Sequence, residues 1–378
     1  MSSQFSIREA RSLIKDLATP NPVIYWVDFL ASILIGHAAF GLTARLGALE
    51  ISWLESPAAF WPVRALLFAL TAVCYMRAVM FIHELVHLPT KGFGPFRVVW
   101  NLLCGIPLLV PSFLYYPHVD HHRRKHYGTE KDGEYLHLSH LHPANCLLFV
   151  VAASVVPLAA VIRFGVMTPI AWVFPGFQRW MEQHASSMII DIFYVRGDYG
   201  PDARRNMRFQ EFACFAWCMG AFLSWYSGIM VASTPAIAYL LGVSLVLVNN
   251  IRTLGAHRWV GDGGELSFEE QLLDSVNYPH RPWITELWGP IGTRYHALHH
   301  LFPSLPYHNM GLAHRRLMAG LPQDSIYRQT ERVTLTGAIV ELLQRASQRH
   351  DPTLVSPTPV DIEGHFTAPD RTVEQRAA

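Results

Sequence analysis

Apolar residues along this chain gather into long runs separated by short polar breaks. Residues 23–44 form the first, with Asp28 as its one acid, and residues 58–82 form the second, with Arg64 near its start and Arg77 late. Residues 209–231 and 235–251 form two more, joined at Ser233-Thr234-Pro235. A helix needs about 20 apolar residues to cross the hydrocarbon core of a bilayer, so the pattern predicts four spans in two hairpins. Two further runs are broken: 98–117 contains Gly105, Pro107 and Pro111, and 145–174 contains Pro157, Arg163 and Pro169. These predict partial, re-entrant insertions. Ahead of the first span, Phe5, Ala10, Leu13, Ile14 and Leu17 recur at helical spacing, with Arg8, Arg11 and Lys15 on the other side. That predicts an amphipathic helix within 1–22 lying on the membrane surface. Residues 23–328 then make the membrane domain, 329–350 a C-terminal helix, and the Pro- and charge-rich 351–378 a disordered tail. The expected fold class is all-α and integral to the membrane, with a helical cap outside it.

Composition sharpens this picture. Of 378 residues, 51% are hydrophobic and 16% charged, against about 25% charged in ordinary soluble domains. A net charge of +1 gives no electrostatic footprint for a nucleic-acid partner. The five cysteines show no CxxC pair and read as small buried hydrophobes. Basic residues concentrate on one side of the predicted membrane, in segments such as Arg123-Arg124-Lys125 and Arg204-Arg205, whereas the opposite loops carry only Arg45. The basic side is expected to face the cytoplasm.

Twenty histidines are the outlier, and they cluster on that side. His83-Glu84-Leu85-Val86-His87 follows the second span. His118-Val119-Asp120-His121-His122 follows the first broken run, His257 follows the last span, and His296-Ala297-Leu298-His299-His300 lies in the cap. Positions i, i+3 and i+4 share one helical face, so each HxxHH is expected to point three imidazoles the same way. One metal site cannot draw ligands from both sides of a membrane, which is why the broken runs are read as insertions that return. Neutral imidazole suits zinc, iron, copper and nickel. A structural zinc needs four ligands. Eight or nine histidines without matching cysteines fit two redox-capable metals with open positions.

HELVH, HVDHH and HALHH, in this order after hairpins, resemble the three histidine boxes of the membrane fatty-acid desaturase superfamily. Arg252-Thr253-Leu254-Gly255-Ala256-His257-Arg258-Trp259 is similar to the additional His-bearing segment of many bacterial members, and His299-His300-Leu301-Phe302-Pro303 to the continuation of the third box. The resemblance covers roughly 20–320. It implies a non-haem di-iron centre held by His83, His87, His118, His121, His122, His257, His296, His299 and His300. It also implies O2 as co-substrate and two electrons from an external donor of ferredoxin or cytochrome b5 type, since no fused cytochrome b5 haem motif is present. The activity implied is introduction of a cis double bond into a fatty acyl chain carried on CoA, carrier protein or lipid. The implied location is a bacterial inner membrane, with the boxes and both termini cytoplasmic. Glu84, His126, Asp132, Glu134, Thr253 and His308 are the candidates to back the ligands. In acyl-CoA desaturases an Asn commonly stands four residues before the counterpart of His257; here that residue is Thr253.

Other readings compete. A hydroxylase or ketolase acting on a carotenoid, sphingoid base or alkane would share the ligand set. HELVH also fits the HExxH helix of a zinc protease, in which the Glu is the base, but that reading leaves both HxxHH clusters without a role. A transporter would need more ionisable residues along the spans than Asp28, His37, Arg64 and Arg77.

Overall fold

The computed structural model describes residues 5–49, 51–52 and 56–349; the expected tail over 351–378 lies outside them. Among the described residues the regular structure is all helical, with isolated β-bridges only. Among the described residues four helices are long and apolar enough to cross a membrane: Pro22–Ala48, Pro57–His87, Val156–Val173 and Thr234–Leu254.

α1 (Ile7–Ile14) is capped by Ser6, whose side chain accepts from the Glu9 amide. Its apolar face, Ala10 and Ile14 with Leu17 beyond, is buried among Ala313, Leu317 and Leu321 of the cap. The amphipathic pattern is therefore as read, but protein covers this face. α2 (Pro22–Arg45) starts with Asn21 as its cap and Pro22 in its first turn, a position where the missing N–H costs nothing. It packs along α3 (Pro57–His87). The ionisable pair of this hairpin is self-neutralising: Arg77 donates from Nε and Nη2 to the two Asp28 oxygens, each at 2.6 Å. Tyr307 adds a third contact to Asp28 at 2.7 Å. With 31 residues, α3 runs roughly 45 Å, longer than the hydrocarbon core of about 30 Å. Its early residues Trp61 and Leu66 are exposed, and its last turns, from Met80 to Leu85, are buried.

α4 (Thr90–Trp100) and a π-helical turn at Asn101–Gly105 follow. Asn101 and Ser112 then hydrogen-bond in both directions, at 2.9 Å each, so the chain has doubled back within 98–117. It leads into α5 (His118–His121). α6 (Ala144–Val151) precedes α7 (Val156–Ile162) and α8 (Thr168–Val173), which a π turn at Arg163–Met167 joins. The features read as breaks in 145–174 do not interrupt this helix. Pro157 and Pro169 each sit in a first turn. Arg163 is buried and bonded to Glu211, Thr168, Ser186 and the Ala185 carbonyl.

α9 (Pro175–His184) leads to α10 (Pro201–Tyr226), which begins with a charged turn and buries Gln210 and Glu211. The run 209–231, expected as a span, thus ends as helix at Tyr226, and α10 is not among the four apolar helices. α11 (Thr234–Leu254) is. The cap holds α12 (Phe268–Asp274), α13 (Pro282–Trp288), α14 (His296–Leu301), α15 (Tyr307–Gly320) and α16 (Leu335–Arg349). Asn277 pins the third box: its side chain accepts from the Leu298 amide at 3.1 Å and donates to Thr330 at 2.9 Å.

Candidate metal centre

The nine histidines come together in two groups. His83, His87, His118, His122 and His299 form one, and His121, His257, His296 and His300 form the other. Within each, one ligand-capable atom per residue lies within 4.8 Å of all the rest. The i, i+4 pair and the i+3 member of each HxxHH go to different groups. His118 and His122 join the first while His121 joins the second; His296 and His300 join the second while His299 joins the first. Shared helical face is thus only part of the geometry, because the two sites abut. The His122 and His300 ring centroids are 4.5 Å apart.

Carboxylates hold the outer nitrogens. Nδ1 of His118 lies 3.0 Å from both Glu134 oxygens, and Nδ1 of His121 lies 2.8 Å from Oδ2 of Asp132. Nδ1 of His257 meets the Tyr127 hydroxyl at 2.8 Å, and that hydroxyl donates to Asp274 at 2.6 Å. Such partners fix the tautomer and aim Nε2 inward. The Nε2 atoms then face one another: His118 and His122 at 2.9 Å, His122 and His299 at 2.9 Å, His257 and His296 at 2.9 Å, and His296 and His300 at 3.1 Å. Lone pairs converging at this distance repel unless a cation or proton lies between them. Both ring nitrogens of His83 and Nε2 of His87 are buried without a partner among the described residues. Buried polar atoms are ordinarily paired. The donor set is therefore one that two cations would suit, and it is all nitrogen, which fits iron, copper, zinc or nickel.

Electrostatics agree. Burial, then neighbouring imidazoles, holds His118, His122, His296, His299 and His300 well below the usual histidine value. They stay neutral, as ligation requires. Burial also lowers His257, against the pull of Asp274. For His121 burial works downward, but Asp132, Glu134 and Asp274 together outweigh it and the net shift is upward. Burial pushes the Glu134 carboxyl up to about 8.

The residues proposed to back the ligands divide. Asp132 and Glu134 touch two of the clustered histidines, His121 and His118. Glu84 does not: it is buried, accepts from Tyr25 and lies 3.3 Å from the Tyr307 amide. It is neither solvated nor beside a ligand, and a carboxylate so engaged is not placed as the base of a zinc protease. His126 sits 3.3 Å from Asp120 and belongs to neither group. His308 accepts from the Asn21 amide at 3.2 Å, and Thr253 accepts from Arg252. Trp259 is buried edge-on to His257, whereas Trp283 is 88% exposed. Sequence reasoning missed Tyr127, Asp274 and Tyr115; Tyr115 stacks on His118 at 4.6 Å and donates to Glu134. No local spacing marks Asp274, since it reaches His257 through the tertiary fold.

The profile of the fatty acid desaturase family matches residues 59–331. A ceramide hydroxylase of Caulobacter vibrioides (strain NA1000 / CB15N) is 36% identical over 350 residues, covering 91% of this chain and 94% of that protein. No solved structure matches the chain.

Proposed function

This chain belongs to the membrane fatty acid desaturase family, and from that premise we propose that it hydroxylates a membrane lipid, with a ceramide-like sphingolipid as its substrate. The observation that carries this reading is the likeness to a ceramide hydroxylase along nearly the whole of both chains. It moves hydroxylation ahead of the double-bond formation expected from the histidine boxes alone. Acyl desaturation is the second reading, favoured by the family profile itself.

In this proposal the first histidine group holds one iron and the second group the other. The di-iron centre would supply activation of O2, with two electrons and two protons from outside, so that a C–H becomes C–OH and the second oxygen leaves as water. The chain's own residues do the positioning. Asp132, Glu134 and, through Tyr127, Asp274 hold the outer nitrogens of His121, His118 and His257. Burial of the imidazoles keeps bulk water from the reacting carbon. An external electron-transfer protein would dock on the basic side, which the proposal places in the cytoplasm.

Expression in a bacterial host supplied with ceramide, followed by mass spectrometry of the lipids, tests the reading. Gain of one oxygen supports it. Loss of two hydrogens in its place would establish the desaturase reading. An unchanged lipid profile from iron-loaded protein would overturn both.

A further inference from the structure

α8 ends at Val173, and the chain turns there into α9, which meets the charged start of α10. This corner stands at the histidine end of the apolar helix 156–173. Tyr199, just ahead of α10, donates at 2.8 Å to Asp120, which lies between His118 and His121 in α5. A cavity of about 340 Å³ fills the corner, with Arg179 and Glu182 of α9 and Arg204 and Arg208 of α10 on its wall.

Glu182 is the one acid on that wall. Arg208 reaches it at 2.7 Å and Arg204 at 3.6 Å, and Arg204 also pairs with Asp198 at 2.7 Å. The Arg179 side chain makes no hydrogen bond or ion pair among the described residues. Three guanidiniums thus share the cavity with a single carboxylate, and like charges so gathered repel unless an anion joins them. Gln178 is a second and independent sign. It lines the same cavity and is 3% exposed; its Nε2 donates to Glu182 at 3.3 Å, and its Oε1 is buried without a partner. Buried polar atoms are ordinarily paired. The wall therefore offers cationic forks and one spare acceptor, the complement of an anion that also carries a hydroxyl.

The remaining wall narrows the ligand to a lipid. It is apolar, formed by Trp172 at the end of α8 and by Pro175. Trp172 is exposed, as are Phe174 and Phe209, the sequence neighbours of Pro175 and Arg208. A bilayer would cover these residues and a soluble anion would not. Tryptophan is favoured at the level of the head groups, arginine forks match phosphate oxygens, and basic residues at a span's cytoplasmic end attract anionic lipid. We propose that this corner binds the head group of an anionic phospholipid, with its phosphate among Arg179, Arg204 and Arg208 and a head-group hydroxyl on Gln178. The lipid's acyl chains then lie against the exposed faces of α8 and α10. The site is separate from both histidine groups and does not depend on which reaction they perform.

The test places the full-length protein in nanodiscs of phosphatidylcholine and phosphatidylglycerol, moves it to detergent, and identifies the retained lipid by mass spectrometry. Wild type should retain phosphatidylglycerol in preference to phosphatidylcholine, at one molecule per chain. Arg179→Gln and Arg208→Gln should each weaken that retention about fivefold, the scale of one basic residue at an anionic surface. Arg179→Gln breaks no internal contact and should melt as wild type does, so it carries the test even if Arg208→Gln, which leaves Glu182 underpaired, folds poorly. Arg205→Gln is the control: Arg205 is exposed, paired with Asp202 and outside the cavity, and its variant should retain lipid as wild type does. Equal loss from Arg205→Gln would reduce the effect to general surface charge and overturn the proposal. Unchanged retention in Arg179→Gln would overturn it too. So would competition by glycerophosphate in solution as effective as that of the lipid, which would make this a site for a free anion.

Discussion

His121 and Asp132 meet through Nδ1 and Oδ2 at 2.8 Å, both fully buried, across a turn that Gly128 makes at φ +71°. The same Asp132 oxygen accepts from the Gly128 amide, and its partner oxygen accepts from the Glu134 amide, each at 3.0 Å. One carboxylate thus orients a histidine of the second group and shapes the loop that carries Glu134 to the first. Asp132→Ala should weaken metal retention about 10–100-fold, the usual cost of losing such a partner. Asp274→Ala should do the same through Tyr127 and His257. Competition with a chelator reads both, and retention equal to wild type in each would show that these acids do not support the site.

Glu84 and His83 are adjacent in sequence and opposed in role. Glu84→Gln should keep the metal and cost on the order of 1 kcal/mol of stability through its contacts with Tyr25 and Tyr307. His83→Ala should lose metal. His126→Ala and His308→Ala, which lie outside both groups, should leave metal content unchanged. Metal analysis of the four purified variants decides, and loss of metal from Glu84→Gln would contradict the assignment.

Arg77 ties α2 to α3 through Asp28, with Tyr307 of the cap on the same carboxylate. Asp28→Asn leaves a half-buried cation underpaired and should cost on the order of 2 kcal/mol, seen as a lower thermal midpoint in detergent. Asp28→Asn combined with Arg77→Met should recover part of that loss, because the charge left unpaired is gone. A double variant less stable than the single would argue that the pair itself is net favourable.

Removal of metal should make the fold acid-sensitive. His118, His122, His257, His296, His299 and His300 have folded-state values below the ordinary one, so below about pH 6.5 the unfolded chain binds protons that the folded chain refuses. Stability contributed by these groups is present above that value and falls as pH drops through it. His121 and Glu134, both raised, act in the opposite sense, and six groups outweigh two. The metal-free protein should therefore melt lower at about pH 5.5 than at about pH 7.5. Equal midpoints would mean that the imidazoles are not held neutral by burial.

The sequence carried the nine histidines and the all-helical membrane class, because spacing within a helix and runs of apolar residues are local properties. It did not carry the exchange of His121 and His299 between the two groups, which depends on how α5 and α14 face each other. The acids split for the same reason: Asp132 and Glu134 lie in the loop after the second box, whereas Asp274 and Tyr127 reach His257 from elements distant in the chain. Amphipathic spacing in α1 shows an apolar face but not what covers it, which is α15. In 145–174, Pro157, Arg163 and Pro169 read as breaks, yet two sit at helix starts and the third finds Glu211. The helices over 201–226 and 156–173 depart from the expected runs at just these residues: Glu211 and Gln210 make one polar, and Arg163, paired with Glu211, opens the π turn that joins the two halves of the other.

The count of metal per folded chain tests the central claim most directly. Elemental analysis of the full-length protein, purified in detergent after growth with iron, should give two irons per chain. His121→Ala should deplete the second site and keep iron in the first, and His87→Ala should do the converse. A single zinc per chain, or iron content indifferent to substitution in either histidine group, would contradict the two-site account.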